Sequence, residues 1–298
     1  MAGSTGSADP QRVFFDSREM AQLRQLEILA AKVHKGQLRG ERETSRRGPG
    51  TSFREHRSYH EGDPLRLIDW NVLARMDILV VKEFDAEVSL DVVLLQDCSE
   101  SMRGAAAQCA RKVTAALGAV AMPHMDRVLW APIGGAGART ADVFTGRGRL
   151  PDLFAAVDRE PGGATDLMGA LRGAVPRKSR GGVAFVMSDF FDPRGVGQAL
   201  SYLVSRRFQV RVMLIEDPER LAPPPLGRTL LKDAETGETT LLDITPDVVA
   251  AYNKAREARA GSLAGFARRT GSGFLRVRAD QPFFEIVRSA IRRGWLLP

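Results

Sequence analysis

The middle of the chain alternates short apolar runs with segments in which apolar residues recur at helical spacing. The runs are rich in Val, Leu, Ile, Met and Phe, as expected for strands that are buried on both faces of a sheet. Predicted strands are Ser89–Gln96, Arg127–Ile133, Gly182–Ser188, Gln209–Ile215 and Gly273–Val277, with an edge strand within Arg139–Phe144. Strands that alternate with helices favour βαβ units, so we predict an α/β fold with a mainly parallel central sheet and helices on both faces.

Helical periodicity and capping residues predict the segments between and around these strands. The predicted helices are Ser17–Val33, residues 106–120, Leu150–Val157, Leu167–Val175, Val196–Arg206, a long helix from Thr245-Pro246 to Arg269, and Pro282–Arg293. Residues 226–244 predict a β-hairpin insertion. We therefore divide the chain into a Gly/Ser-rich disordered tail (1–16), an N-terminal segment (17–88) and the sheet domain (89–298).

Composition indicates an ordinary globular protein. Apolar residues make up 44% of the chain, and no apolar run approaches the ~18 residues of a membrane span. The N-terminus lacks the basic and apolar regions of a secretory signal, and the two cysteines, Cys98 and Cys109, have no metal-type spacing. A cytoplasmic location is the expectation.

The net charge of +7 is concentrated at the C-terminal end. Residues 252–298 contain ten Lys or Arg against three Asp or Glu. Such an end can bind nucleic acid, but solvated arginines on amphipathic helices are the simpler interpretation. No aromatic residues alternate with these arginines in the manner of a base-stacking surface, so nucleic-acid binding is not favoured.

Hard oxygen donors occur where strands are predicted to end. They are Asp97, Ser99 and Ser101 on the loop after the first strand, Thr165 at the start of a helix, and Asp189 after another strand. Ligands of open parallel sheets bind beyond the carboxyl ends of the strands. Mg²⁺ selects such donors, keeps several waters and uses only one or two carboxylates. The sequence therefore predicts a Mg²⁺ or Mn²⁺ site at this rim.

The same five positions resemble the metal-ion-dependent adhesion site of von Willebrand factor A domains. The resemblance implies a Rossmann-like fold in which Ser99, Ser101 and Thr165 coordinate the ion directly, while Asp97 and Asp189 act through water. With few direct carboxylates, the ion would accept a carboxylate from a partner. Because Mg²⁺ gives up its water reluctantly, we expect the isolated site to bind weakly and to lose the ion without a partner.

The N-terminal segment carries motifs of its own. They include Arg47-Gly48-Pro49-Gly50, Gly62-Asp63, Arg66-Leu67-Ile68-Asp69-Trp70 and Val81-Lys82-Glu83-Phe84. These motifs resemble the signature of the bacterial domain of unknown function 58 family, in which such a segment runs into a von Willebrand factor A-like domain. The resemblance implies association with MoxR-type AAA+ ATPases. Many members carry two N-terminal membrane helices, and this chain has the pattern of a short form without them.

Charges alternate within this signature. Asp63, Arg66 and Asp69 lie within seven positions, and we predict that Trp70 beside them is a large apolar anchor. We predict a buried ion-pair cluster that fastens the segment to the sheet domain, since Arg forms geometrically specific bidentate pairs with carboxylates. A docking surface for a partner is the alternative.

Three functions are compatible with these features. The first is a non-enzymatic, metal-dependent protein-interaction module, an adaptor or co-chaperone-like partner that binds a carboxylate of a MoxR-type ATPase or its client through the ion. The second is a metal-dependent hydrolase or phosphatase with Asp97 as nucleophile; the residue two positions on, however, is Ser99 instead of a second carboxylate, and the loop lacks a recognisable general base. The third is nucleic-acid binding through the basic C-terminal helices. We favour the first.

Overall fold

The computed structural model describes most of the chain. The described residues are 14–40, 53–84, 91–123, 125, 127–134, 141–158, 162–163, 165–175, 179, 181–192, 195–221, 225–234 and 236–296. The chain divides into two compact units. These are Met1–Val33 together with Leu90–Pro298, hereafter the sheet unit, and His34–Ser89, hereafter the signature unit. The whole predicted N-terminal helix, Ser17–Val33, thus groups with the sheet unit.

The elements of the described residues follow in chain order. The strands are β1 (Phe53–Ser58), β2 (Val80–Phe84), β3 (Asp91–Asp97), β4 (Arg127–Ile133), β5 (Asp142–Phe144), β6 (Gly182–Ser188), β7 (Phe208–Glu216), β8 (Gly227–Lys232), β9 (Thr239–Ile244) and β10 (Gly273–Arg278). The helices are α1 (Ser17–Gly40), α2 (Trp70–Met76), α3 (Ala105–Ala121), α4 (Leu150–Val157), α5 (Leu167–Ala174), α6 (Val196–Ser205), α7 (Pro218–Leu221), α8 (Pro246–Thr270) and α9 (Phe283–Arg292). In this described part of the chain, no helix is long and apolar enough to cross a membrane.

A six-stranded sheet is the centre of the sheet unit. Its strand order is β10-β7-β6-β3-β4-β5. All neighbouring strands are parallel except β5, which runs antiparallel to β4 at the edge. The predicted mainly parallel α/β sheet is confirmed. Gln96 pairs with Met187, so β3 and β6 end side by side at the same rim.

Each face of the sheet is covered by helices. Successive residues of a strand point to opposite faces, and β3 follows this rule. Val92 and Leu94 belong to a core that includes residues of α1, α3, α4 and α9. Val93 and Leu95 belong to a second core with residues of α5, α6 and α8. Both faces of β3 are therefore buried, which explains its unbroken apolar run.

Helix α1 begins at a capping box. The Asp16 carboxylate accepts a hydrogen bond from the Glu19 N–H (2.7 Å), and the Glu19 carboxylate accepts one from the Asp16 N–H (3.0 Å). The helix runs to Gly40, seven residues beyond the predicted end at Val33. The apolar pattern stops at Val33, but the helical backbone continues through the mainly polar residues that follow.

The long helix α8 begins and ends as the sequence predicts. The Thr245 hydroxyl accepts a hydrogen bond from the Val248 N–H (3.3 Å), and Pro246 occupies the first turn. Gly271 ends the helix in the left-handed conformation, with φ of 66°. The predicted hairpin is present just before this helix, where β8 and β9 pair antiparallel and Leu230 faces Leu241.

The predicted disordered tail, residues 1–16, is wrong at its C-terminal end. Residues 1–13 lie outside the described residues, but Phe15 is buried in the core. Phe14 stacks on Phe154 of α4, with ring centroids 5.3 Å apart. Two adjacent aromatic side chains gain enough from burial to order the chain before α1, despite the polar residues that precede them.

Candidate metal centre

Asp97 and Asp189 lie at the ends of two neighbouring strands. Asp97 is the last residue of β3, and Asp189 directly follows β6, its parallel neighbour. Both side chains are buried, with Asp97 only 1% and Asp189 only 7% exposed. The structure therefore brings together the two carboxylates that the sequence analysis assigned to the rim.

A chain of hydrogen bonds joins these carboxylates to two hydroxyls. The Ser99 N–H donates to Asp97 Oδ1 (2.9 Å), and the Ser99 and Ser101 hydroxyls lie 2.9 Å apart. The Ser101 hydroxyl is in turn hydrogen-bonded to Asp189. The loop after β3, residues 98–103, contains the short 3₁₀ turn Glu100–Met102, in which Ser101 is buried. Four of the five predicted ligands thus form one connected group.

The turn that precedes Thr165 is attached to the same loop. The Gly162 N–H donates to the Cys98 carbonyl (2.7 Å), and the Glu100 N–H donates to the Gly163 carbonyl (3.1 Å). Thr165 follows this turn and is 2% exposed. The backbone therefore holds the turn that leads to the fifth predicted ligand against the loop that carries the two serines.

The negative charges of the two carboxylates at this rim are only partly compensated by their surroundings. Burial, followed by the charge of Asp189, raises the pKa of Asp97 to about 7. Burial also raises the pKa of Asp189. The Ser188 hydroxyl opposes the effect on Asp97 by donating to Oδ2, and it is held in place by accepting a hydrogen bond from the Phe190 N–H (2.8 Å). The hydroxyl groups partly stabilise the buried carboxylates, but they carry no positive charge that would neutralise them.

The donor set suits a hard divalent cation. Two carboxylates and neighbouring hydroxyls are the oxygen ligands that Mg²⁺ and Mn²⁺ accept. Within the described ranges, no three His, Cys, Asp or Glu side chains group together as metal ligands. A zinc site built of thiolates and imidazoles therefore has no support in that part of the molecule.

A cationic side of the rim was missed by the sequence analysis. A cavity of about 40 Å³ is lined by Ser101 and Asp189 and by Arg220, Arg256 and Arg259. Arg220 donates a hydrogen bond to the Ser101 carbonyl. The charges of Arg259 and Arg220 lower the pKa of Asp189, against the larger effect of burial. These arginines lie on α7 and α8, far along the chain from Asp189, so no local pattern links them to it.

The signature residues do not form the predicted ion-pair cluster. Asp63 makes a bidentate pair with Arg57, with both N–O distances 2.9 Å. Arg66 is exposed, and no described residue forms an ion pair with it. The prediction was wrong because closeness in sequence was taken for closeness in space. The turn after β1 brings Asp63 back to Arg57, and the His60 N–H donates to the same carboxylate (2.9 Å).

Asp69 and Trp70 have separate roles in the signature unit. The Asp69 carboxylate caps α2 by accepting hydrogen bonds from two backbone N–H groups of its first turn. It also lies 2.9 Å from His56 Nε2 and 3.3 Å from Lys82 Nζ. Trp70 is 60% exposed, so it is not the apolar anchor that the sequence predicted.

The chain is similar to known proteins in sequence and, more weakly, in structure. The uncharacterised protein Rv1480 of Mycobacterium tuberculosis is 29% identical over 294 residues, 94% of this chain and 92% of the relative. An aerotolerance-related membrane protein from Bacteroides fragilis has 16% identity and a TM-score of 0.42, covering 70% of this chain and 98% of that chain. BatB from Bacteroides thetaiotaomicron has 12% identity and a TM-score of 0.39, covering 68% and 98%. At these scores the structural likeness carries no argument of its own.

The family match is more extensive. The profile described as "Protein of unknown function DUF58" matches residues 55–261, which is more than half of the chain. The match runs from β1 of the signature unit into α8 of the sheet unit, and it includes all five candidate metal ligands. The chain therefore belongs to the DUF58 family.

Proposed function

We propose that this protein is a non-enzymatic, metal-dependent protein-interaction module with a von Willebrand factor A-like sheet unit. The observation that carries the proposal is the hydrogen-bonded group Asp97, Ser99, Ser101 and Asp189 at the end of β3 and β6. Buried carboxylates without a cationic partner in contact are costly, and such groups mark functional sites. A divalent cation at this rim would offset their charge.

Ser99, Ser101 and Thr165 would hold the ion directly, and Asp97 and Asp189 would hold its water ligands. Bound there, Mg²⁺ or Mn²⁺ supplies a Lewis-acidic position for a carboxylate of a partner protein. The Asp97 carboxylate keeps the loop after β3 in place through the Ser99 N–H. The Ser188 hydroxyl fixes the second oxygen of the same carboxylate. The site is thereby organised before a partner arrives.

The geometry argues against a phosphatase-type reaction at Asp97. A nucleophilic carboxylate needs a free oxygen that a substrate can reach. Asp97 is 1% exposed, and hydrogen bonds engage both of its oxygens. Two positions after Asp97, Ser99 provides a hydroxyl, whereas a phosphatase of this type would have a carboxylate there as general acid and base. These features support an interaction role for the rim.

The C-terminal arginines also give little support to nucleic-acid binding. Arg276 pairs with Glu216 and Glu257, and Arg278 pairs with Asp280. An arginine that is committed to a carboxylate is less available to a phosphate. The positive charge of this end is therefore partly neutralised within the fold.

We propose a MoxR-type AAA+ ATPase, or its client, as the partner. Binding should be measured by biolayer interferometry against the purified ATPase at constant Mg²⁺, because the ATPase itself needs Mg²⁺ to hold nucleotide. Ser99→Ala should weaken binding about 10-fold or more, the typical cost of disturbing a metal site. Ser262→Ala, on the exposed surface of α8, is the matched control and should bind as the wild type does.

The thermal midpoint of each variant shows whether it is folded. If folded Ser99→Ala binds the ATPase as tightly as the wild type, the interface lies elsewhere and the proposal fails.

A further inference from the structure

The guanidinium of Arg259 lies beside the candidate metal centre and has no carboxylate partner among the described residues. It lies on α8 and lines the same cavity as Ser101 and Asp189. Its Nε is buried and has no hydrogen-bond partner among the described residues, none of which forms an ion pair with its head group. The guanidinium instead stacks on the Phe191 ring, 3.5 Å from the centroid. Stacking fixes the plane of the head group without using its N–H donors.

The other two arginines of the cavity are already engaged. Arg256 lies 3.8 Å from Glu216 and 3.4 Å from Glu257. Arg220 donates to the Ser101 carbonyl. Arg256 Nε also lacks a hydrogen-bond partner among the described residues, but its head group pairs with two glutamates. Of the three arginines, Arg259 is therefore the one without a carboxylate or carbonyl partner among the described residues.

Arg259 and Asp189 influence each other without direct contact. The charge of Arg259 lowers the pKa of Asp189, and the charge of Asp189 raises that of Arg259, although burial is the larger effect on both. The cavity of about 40 Å³ next to them has room for roughly three water molecules. The arginines that line this space suit it to a small anion such as a carboxylate.

We propose that Arg259 is the second anchor for the carboxylate that this rim recognises. This inference rests on the proposed metal-dependent function and adds the residue that selects the ligand. One carboxylate oxygen would coordinate the ion, and Arg259 would donate a hydrogen bond to the other. A stacked guanidinium presents its donors in the planar geometry that a carboxylate matches, whereas a Lys ammonium would not.

Acetate is the probe, and free Mn²⁺ is followed by electron paramagnetic resonance. If the ion and Arg259 share one carboxylate, acetate must tighten Mn²⁺ binding, by reciprocity of the two binding equilibria. We expect a several-fold tightening in the wild type after correction with a protein-free blank. Arg259→Gln should bind Mn²⁺ without acetate but lose the tightening. Arg268→Gln, the same charge change at an exposed position of the same helix outside the cavity, should keep it.

Arg259→Lys is the second variant if Arg259→Gln does not fold. It should also lose most of the acetate effect. Equal tightening by acetate in folded Arg259→Gln, or a stronger effect of inorganic phosphate than of acetate in the wild type, would overturn the assignment of Arg259.

A second measurement separates this failure from failure of the metal site. The ¹⁵N–¹H signal of Arg259 Nε should shift when acetate is added in the presence of Mg²⁺. If the wild type binds Mn²⁺ no better than Thr165→Ala but this signal still shifts, the metal site fails and Arg259 remains a carboxylate anchor. If the signal does not shift, the Arg259 inference is wrong whether or not the ion binds.

Discussion

Two pairs of aspartates in this protein have opposite surroundings. In the sheet unit, burial raises the pKa of Asp97 to about 7, and the pKa of Asp189 is raised as well. In the signature unit, hydrogen bonds from Arg57 and from His56 lower the pKa values of Asp63 and Asp69 to about 2. The same side chain is thus disfavoured as an anion in one region and favoured in the other.

The difference lies in the partners of each carboxylate. A guanidinium holds Asp63, and an imidazole, an ammonium and a helix N-terminus hold Asp69. Asp97 has hydroxyls and one backbone N–H as its described hydrogen-bond partners, so its charge lacks a contacting cation. Asp63 and Asp69 stabilise the fold around them. Asp97 and Asp189 are the pair for which we propose a bound cation.

The two pairs of aspartates should differ most in how the stability of the protein depends on pH. The measurement is made in EDTA so that no divalent cation is bound. Because the folded-state pKa of Asp97 is raised, its contribution to stability is complete below the unfolded pKa near 3.8 and is lost as the pH rises through about 7. For the wild type, this contribution should lower the free energy of unfolding by roughly 4 kcal/mol between pH 4 and 8. Asp97→Asn should lack this loss, as measured by urea denaturation at several pH values.

A matched control is Asp280→Asn in the same unit. Asp280 is exposed, and its pairing with Arg278 lowers its pKa. This variant should retain the pH dependence of the wild type. A fall in stability as steep in Asp97→Asn as in the wild type would show that the rim carboxylate is not the group responsible.

A smaller effect is expected in the signature unit. Arg57→Ala removes the bidentate partner of the half-buried Asp63, so the melting temperature should drop by a few degrees. Arg66→Ala removes an exposed side chain, so the melting temperature should stay nearly unchanged. Differential scanning calorimetry of both variants checks this. An equal drop for Arg66→Ala would restore the cluster of Asp63, Arg66 and Asp69 that the sequence suggested.

Sequence reasoning succeeded where a residue follows from its own neighbours. The apolar runs before Asp97 and Asp189 identify buried strands, and parallel strands that end together place both carboxylates at one rim. The glycine turn before Thr165 similarly predicts a loop that leads into a helix. Each inference uses only a few consecutive residues and the general geometry of α/β sheets.

Sequence reasoning failed where two distant segments meet. Arg259 is separated from Asp189 by seventy positions, and its neighbours on α8 resemble an ordinary solvated helix face. Asp63 lies three positions from Arg66 but pairs with Arg57, because a turn and not the sequence spacing sets its partner. Side-chain pairing across turns and between elements depends on the folded backbone, which a single sequence does not specify.

Cation binding at the rim is tested most directly by titrating the free protein with Mn²⁺ and measuring unbound Mn²⁺ by electron paramagnetic resonance. The wild type should bind one ion weakly, because Mn²⁺ would exchange water for few charged ligands. Thr165→Ala and Asp97→Ala should abolish this binding while remaining folded, since both side chains lie at the ends of elements. Identical titrations for the wild type and Thr165→Ala, or tight binding that survives Asp97→Ala, would contradict a metal centre at this rim.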